Sequence, residues 1–257
     1  MNDYEPLKVV AELRDPVILD RMQPLDGILA ATIIETPRLR ERDRHYRHFR
    51  RNVAKYGRED AENYWRAHGW EIPLRPHFLP LALWGHGIDH GLWVYCSSWA
   101  FTDEMVESGV TYFNHHFDIE LAERFLPPKQ RKIPTGKSEF KSEHIPLQYV
   151  TVERLMWYVL GIKRETEDVL SVTYAIAKKR NRGYGGIRRW SVESTATDSS
   201  VFSSGKLARP IPSELLEKQG ITGQFQYAWT TYRPPYWDGR YVARCAVAGK
   251  RDDESTR

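Results

Sequence analysis

The sequence contains only two cysteines among its 257 residues, Cys96 and Cys245, and they lie far apart. This number and spacing provide neither a disulfide framework nor a CxxC metal motif, and they fit a reducing compartment. No stretch approaches the roughly 18 consecutive apolar residues of a membrane span. The first residues lack a basic segment followed by an apolar run, so they do not predict a secretory signal. We therefore expect a soluble, cytoplasmic protein with no membrane partner.

The sequence also lacks a clear catalytic signature. Walker and dinucleotide-binding glycine motifs follow a strand and open a helix, whereas the glycine-rich segment of this chain follows a predicted helix and precedes a predicted strand. His86, Asp89 and His90 share one predicted turn and, together with the segment 115–118, offer metal-ligating side chains. A glycine-rich turn explains the first group without a metal, and adjacent histidines on a strand point to opposite faces. We predict no metal and no cofactor.

Positive charge is concentrated in two segments of the chain. Residues 38–58 carry nine Lys or Arg and two acidic residues, and residues 178–189 carry six Lys or Arg and no acidic residue. The rest of the chain has more acidic than basic residues, although the net charge is +4. Two such segments in a chain with nine Trp and 14 Tyr indicate a polyanionic partner such as nucleic acid.

The order of predicted elements indicates an α+β protein. Strands are predicted at 7–14, 79–84, 92–99, 148–160 (as a strand or hairpin), 187–193 and 225–232, and helices at 25–35, 165–178 and 213–218. Alternation of this kind predicts a ferredoxin-like βαββαβ domain with insertions. We expect one domain over residues 1–248, containing a basic helical insertion at 38–75 and a thumb-like insertion at 113–146. Residues 249–257 are predicted to be a disordered tail.

The segment 178–190 carries most of the functional argument. Its glycines allow close backbone approach to a ligand and let successive N–H groups form an anion nest, while its cations suit phosphates. Tyr184 and Trp190 are candidates for stacking on bases. A helix C-cap would explain one glycine and two cations, but this segment has three glycines and six cations. The predicted loop residues are Lys178, Lys179, Arg180, Asn181, Arg182, Gly183, Tyr184, Gly185, Gly186, Arg188 and Arg189.

This segment resembles the glycine-rich loop of the RAMP superfamily of CRISPR proteins. The segments 24–30, 157–161, 209–212 and 233–237 extend the resemblance to the Cas-five-like subunit of type IV effector complexes. The resemblance implies a prokaryotic, non-catalytic subunit that binds the 5′ handle of a guide RNA (crRNA) and caps the backbone filament. It also implies contacts with backbone RAMP subunits and a large subunit, and leaves target DNA as a further partner.

The two insertions supply further candidate RNA contacts. The thumb of the family corresponds to residues 113–146, and the basic helix 38–58 is an additional candidate for RNA, DNA or protein contact. The predicted residues in these insertions are Arg47, Arg50, Arg51, Lys129, Arg131 and Lys132.

Two enzymatic alternatives remain open at this stage. The first is an endoribonuclease that matures the guide RNA, for which His45, His48, Lys179 and Tyr184 are candidate acid–base groups, although no spacing singles out a pair. The second is a metal-dependent phosphohydrolase that uses the histidine turn around Asp89.

Overall fold

The computed structural model describes residues 4–18, 23–35, 79–85, 92–102, 106–115 and 143–247. These residues form a mixed α+β structure of small antiparallel sheets with few helices. The described part of the chain contains no helix that is both long and apolar enough to cross a membrane. The predicted α+β class is therefore confirmed.

The central sheet has three antiparallel strands in the order β6-β1-β7. Strand β1 spans Glu5–Leu13, β6 spans Arg154–Gly161 and β7 spans Ile187–Ser194. Apolar residues alternate along β1, so Leu7, Val9, Ala11 and Leu13 are buried on one face. This face packs against a helix at 25–35, α1, and a helix at Lys163–Ser171, α2.

Residues 81–101 follow the free edge of β6 without forming a continuous strand. Leu81, Ser97 and Phe101 make isolated antiparallel bridges with Gly161, Val159 and Met156 of β6. Only two short strands form in this region, β2 at Leu83–Trp84 and β3 at Val94–Tyr95, and they pair with each other. The sequence-based prediction of strands at 79–84 and 92–99 is thus correct in place but too long.

Strands β4, Glu107–His115, and β5, Glu143–Thr151, pair over their whole length as a β-hairpin arm. The hairpin is wider than the predicted insertion at 113–146, because pairing already begins at the Glu107–Thr151 pair. A break at 152–153 separates β5 from β6, so the predicted strand 148–160 is two strands.

The C-terminal part of the chain builds a second core. A small hairpin, β8 at Phe202–Ser203 and β9 at Lys206–Leu207, precedes a three-stranded sheet in the order β10-β12-β11. These strands are Ile211–Pro212, Gln226–Thr231 (β11) and Val242–Val247 (β12), and helix α3 spans Ser213–Lys218. The predicted helix 213–218 is confirmed, and the strand predicted at 225–232 is found at Gln226–Thr231. Strand β12 was not predicted.

Both cysteines are free and lie in this second core. Burial raises the pKa of the Cys96 and Cys245 thiols to about 12. Since the thiolate is the reactive form, both residues behave as small apolar side chains in the folded protein.

Helix α2 is shorter than the sequence predicted, since it ends at Ser171 instead of residue 178. Beyond the helix, the backbone of Ile176 donates a hydrogen bond to the Gly185 carbonyl, and Ala177 adopts a φ of 63°. A helix cannot accommodate either feature. Val172, predicted to be buried on this helix, is 44% exposed, whereas Ile176 is buried in the connection that follows.

Candidate functional site

The glycine-rich loop begins with a reversal of the chain after residue 178. Lys179 has a left-handed φ of 57°, Arg180–Arg182 form one 3₁₀ turn, and Gly183 has a φ of 84°. Two left-handed residues around a short turn project the loop away from the sheet. A Cβ at Gly183 would have no heavy atom within 4 Å. The exposed tip is therefore formed by residues 180–183.

Gly185 and Gly186 lie at the base of the loop, where they are buried against the protein's own backbone. A Cβ on Gly185 would overlap the carbonyl oxygen of Ile176, and one on Gly186 would overlap the Asp15 carboxylate. The Gly185 N–H donates to the carbonyl of Pro16 at 2.8 Å. This N–H is occupied, so the anion-nest interpretation does not hold for Gly185, and internal packing explains both glycines.

Two cations of the loop lie against the β-hairpin arm. Lys179 Nζ is 3.5 Å from the ring centroid of Phe113 on β4, and the guanidinium carbon of Arg182 is 5.3 Å from it. The rings of Tyr149 on β5 and Tyr184 in the loop also face each other, with centroids 6.4 Å apart. Phe113, Tyr149 and the two cations of the loop thus join the arm and the loop into one surface, which we call the loop–arm junction.

Other predicted loop cations are held by acidic side chains. Arg180 donates to Glu35, at the end of the described part of α1, at 2.7 Å. Arg189 donates to Glu12, its cross-strand neighbour on β1. These arginines are 40% and 69% exposed at the side chain, so the ion pairs contribute little free energy and leave the charge accessible.

Arg188 and Arg189 line a cleft of about 450 Å³ between α2 and β7. Tyr174, which is 76% exposed, also lines this cleft. Trp190 was a candidate for base stacking, but its indole N–H donates to the carbonyl of Thr173 and its ring lies 5.8 Å from that of Trp157. Trp190 therefore packs as part of the core surface.

A buried ionic network connects three segments on which the sequence resemblance depended. Arg209 and Asp26 are both 0% exposed and form an ion pair at 3.2 Å. Arg209 also donates to the carbonyls of Tyr95, Ser97 and Tyr232. The network ties helix α1 to the C-terminal segments, which is a structural role.

The hydroxyl of Tyr236 completes this network by donating to Asp26 at 2.9 Å. Burial and the adjacent Asp26 carboxylate raise the pKa of Tyr236 well above 10, so its hydroxyl remains a donor. Burial raises the pKa of Asp26 as well, and its contacts with Arg209 and Tyr236 act in the opposite direction.

Several predicted residues lie outside the described part of the chain. These include the turn 86–90, the basic helix 38–58 and the tip of the insertion at 116–142. The predicted RNA contacts that fall there are Arg47, Arg50, Arg51, Lys129, Arg131 and Lys132. Within the described residues, no three His, Cys, Asp or Glu side chains cluster in a metal-binding arrangement.

No protein-family profile matches this chain, and no curated protein matches its sequence.

Proposed function

We propose that this protein is a non-catalytic, RNA-binding subunit of a type IV CRISPR effector complex, with a ferredoxin-like RAMP domain of the Cas-five-like kind. In this proposal it binds the 5′ handle of the guide RNA and caps the backbone filament. The observation that carries the proposal is the loop–arm junction, where Lys179 and Arg182 lie on Phe113. Cations combined with aromatic rings are the combination that single-stranded RNA requires, since phosphates need charge and unpaired bases need flat surfaces.

The strand order supports the finer fold assignment. Strands β7, β1 and β6 are adjacent in that order, and residues 97–101 bridge the outer edge of β6. Helix α1 follows β1, and helix α2 connects β6 to β7. A βαββαβ domain of the ferredoxin-like kind has the same antiparallel order, with its glycine-rich loop between the second helix and the last strand.

The hairpin arm supports the proposed protein partners. Val110 and Tyr112 on β4 are 52% and 55% exposed, and the Tyr112 ring is stacked on His144 of β5, with centroids 4.3 Å apart. An apolar, aromatic face on a two-stranded arm is suited to bury against a neighbouring subunit, because aromatic residues are enriched at the centres of interfaces. The arm therefore corresponds to the thumb that would contact the adjacent backbone subunit.

The decisive experiment is incubation of the purified protein with labelled CRISPR-repeat RNA, with and without a chelator. We expect the RNA to remain intact and bound in both cases. Cleavage that persists with the chelator would identify a metal-independent endoribonuclease. Cleavage that the chelator abolishes would identify a phosphohydrolase, and absence of binding would refute all three functions.

Substitutions at the loop–arm junction test the site itself. The variant with Lys179→Ala and Arg182→Ala should weaken repeat-RNA binding and flatten its dependence on salt, because each lost phosphate contact on a single strand lowers the slope by about 0.7. The matched control is Lys206→Ala, which removes an exposed cation from the separate β8–β9 hairpin. An equal effect of both changes would refute a localised site.

A further inference from the structure

The outer face of the β11–β12 pair carries an aromatic and cationic surface that the proposed function does not use. The antiparallel register places Trp229 opposite Arg244, and Tyr227 lies two residues along β11 on the same face. Trp229 is 74% exposed and Tyr227 is 44% exposed. The guanidinium carbon of Arg244 lies 4.2 Å from the Tyr227 ring centroid, in a cation–π arrangement.

This face is not part of a core. Strand β11 is the edge strand of its sheet, and Ala228, on the opposite face of the strand, is also exposed. An exposed indole leaves a large apolar surface in water, which a soluble domain rarely retains without a binding role. Arg244 is exposed as well, so the side of its guanidinium that faces away from Tyr227 is open to a ligand.

The charge around this face favours a polyanion. Residues 219–247 contain a single acidic residue, Asp238, and it forms an ion pair with Arg240 at 2.6 Å. Arg233 and Arg244 leave the segment with net positive charge, and Arg233 lies 4.2 Å from the Trp93 ring centroid. A cationic surface with exposed aromatic rings binds flat, negatively charged ligands better than it binds basic or purely apolar ones.

We propose that Tyr227, Trp229 and Arg244 form a stacking platform for unpaired bases of a single-stranded nucleic acid. One base stacks on the Trp229 indole and a neighbouring base on the open side of the Arg244 guanidinium, whose charge also attracts the phosphate between them. This platform lies on a different sheet from the glycine-rich loop, and it does not require the proposed 5′-handle contact.

The test compares oligonucleotides with and without bases. We would measure, by fluorescence anisotropy, binding of the full-length protein to A₈ RNA, A₈ DNA and an abasic octamer of the same charge. Trp229→Ala should weaken binding of the octamers that contain bases by about fivefold or more and leave the abasic octamer unchanged. Trp229→Phe should retain most of the affinity, and Gln226→Ala, on the other face of β11, should have no effect.

Photo-crosslinking gives a second, independent measurement. An octamer of 5-bromouridine, irradiated with the protein, should crosslink to the tryptic peptide that spans residues 219–233 and contains both aromatic residues of β11. Comparison of the RNA and DNA octamers identifies which strand the platform prefers.

Three outcomes would overturn the proposal. An equal loss of affinity for the abasic octamer would show that stacking is not involved, and unchanged affinity for all octamers would exclude the site. Reduced self-association of Trp229→Ala with unchanged octamer binding would identify the face as an interface between copies of the chain. None of these results depends on the loop–arm junction, which the Lys179→Ala and Arg182→Ala variant tests with repeat RNA.

Discussion

Arg209 and Arg182 both lie beside aromatic residues, but the two guanidinium groups occupy opposite surroundings. Arg209 is fully buried and bound to Asp26, to the Tyr236 hydroxyl and to three backbone carbonyls. Arg182 is exposed, and its printed contact is the face of Phe113 at 5.3 Å. The first arginine has its donors satisfied by the fold, whereas the second keeps them available to solvent or a ligand. The same residue types thus form a structural lock in one region and a candidate binding surface in the other.

The largest expected effect is on stability, from breaking the buried lock. Arg209→Ala would leave the Asp26 carboxylate and several buried carbonyls without their donor. We expect a loss of about 3–5 kcal/mol in the free energy of unfolding, as is typical when one partner of a buried ion pair is removed. Urea unfolding of the variant and of the wild type measures this difference. A loss below about 1 kcal/mol would show that water replaces the guanidinium and that the network is not a lock.

The sequence predicted the elements whose pattern is local. Strand β1 and helix α1 were found close to their predicted positions because their burial follows from spacing along a single segment. The Asp26–Arg209 contact was not predicted, because the two residues are 183 positions apart and only the folded chain brings them together. For the same reason, the fragmentation of the β6 edge into isolated bridges had no local signal.

The glycine-rich loop was predicted in place, but for a reason that fits only its tip. Composition indicated that the glycines allow approach to a ligand, whereas Gly185 and Gly186 allow approach to Ile176 and Asp15. Contacts between remote segments decide between these explanations, and a sequence does not contain them. The Tyr227 and Trp229 face was missed, although the alternation of aromatic residues along β11 was an available signal.

The second largest effect separates the base of the loop from its tip. Gly185→Ala would combine a φ of 67° with overlap of the Ile176 carbonyl oxygen, so we expect a loss of about 2–4 kcal/mol in stability. Gly183→Ala is the matched control, since its φ of 84° is also left-handed but its Cβ would meet open space, and it should lose about 1 kcal/mol. Thermal and urea unfolding compare the two variants directly. Equal losses would mean that the close packing at Gly185 relaxes without cost.

A smaller effect is expected from separating the arm from the loop. Phe113→Leu keeps an apolar side chain on β4 but removes the ring on which Lys179 and Arg182 lie. Cation–π contacts at exposed sites contribute about 0.5–1 kcal/mol, so the global stability should fall by no more than this. Amide hydrogen exchange should nevertheless increase in the arm and in residues 179–184. Increased exchange in only one of these segments would show that the arm and the loop are not coupled.

The smallest effect is expected from the exposed ion pair between the loop and helix α1. Arg180→Ala removes a 2.7 Å contact with Glu35, but both side chains are more than one third exposed, so solvent screens the interaction. We expect a change in stability of about 0–1 kcal/mol, because such surface pairs contribute little after the entropy of ordering two long side chains is subtracted. A double-mutant cycle with Glu35→Ala isolates the pair from the other contacts of each residue. Comparison of urea unfolding at low and high salt adds a second criterion, since the coupling between Arg180 and Glu35 should disappear in high salt. A coupling energy comparable to the loss in Arg209→Ala would contradict the distinction between the buried lock and the accessible loop, since Arg180 would then also be held by the fold.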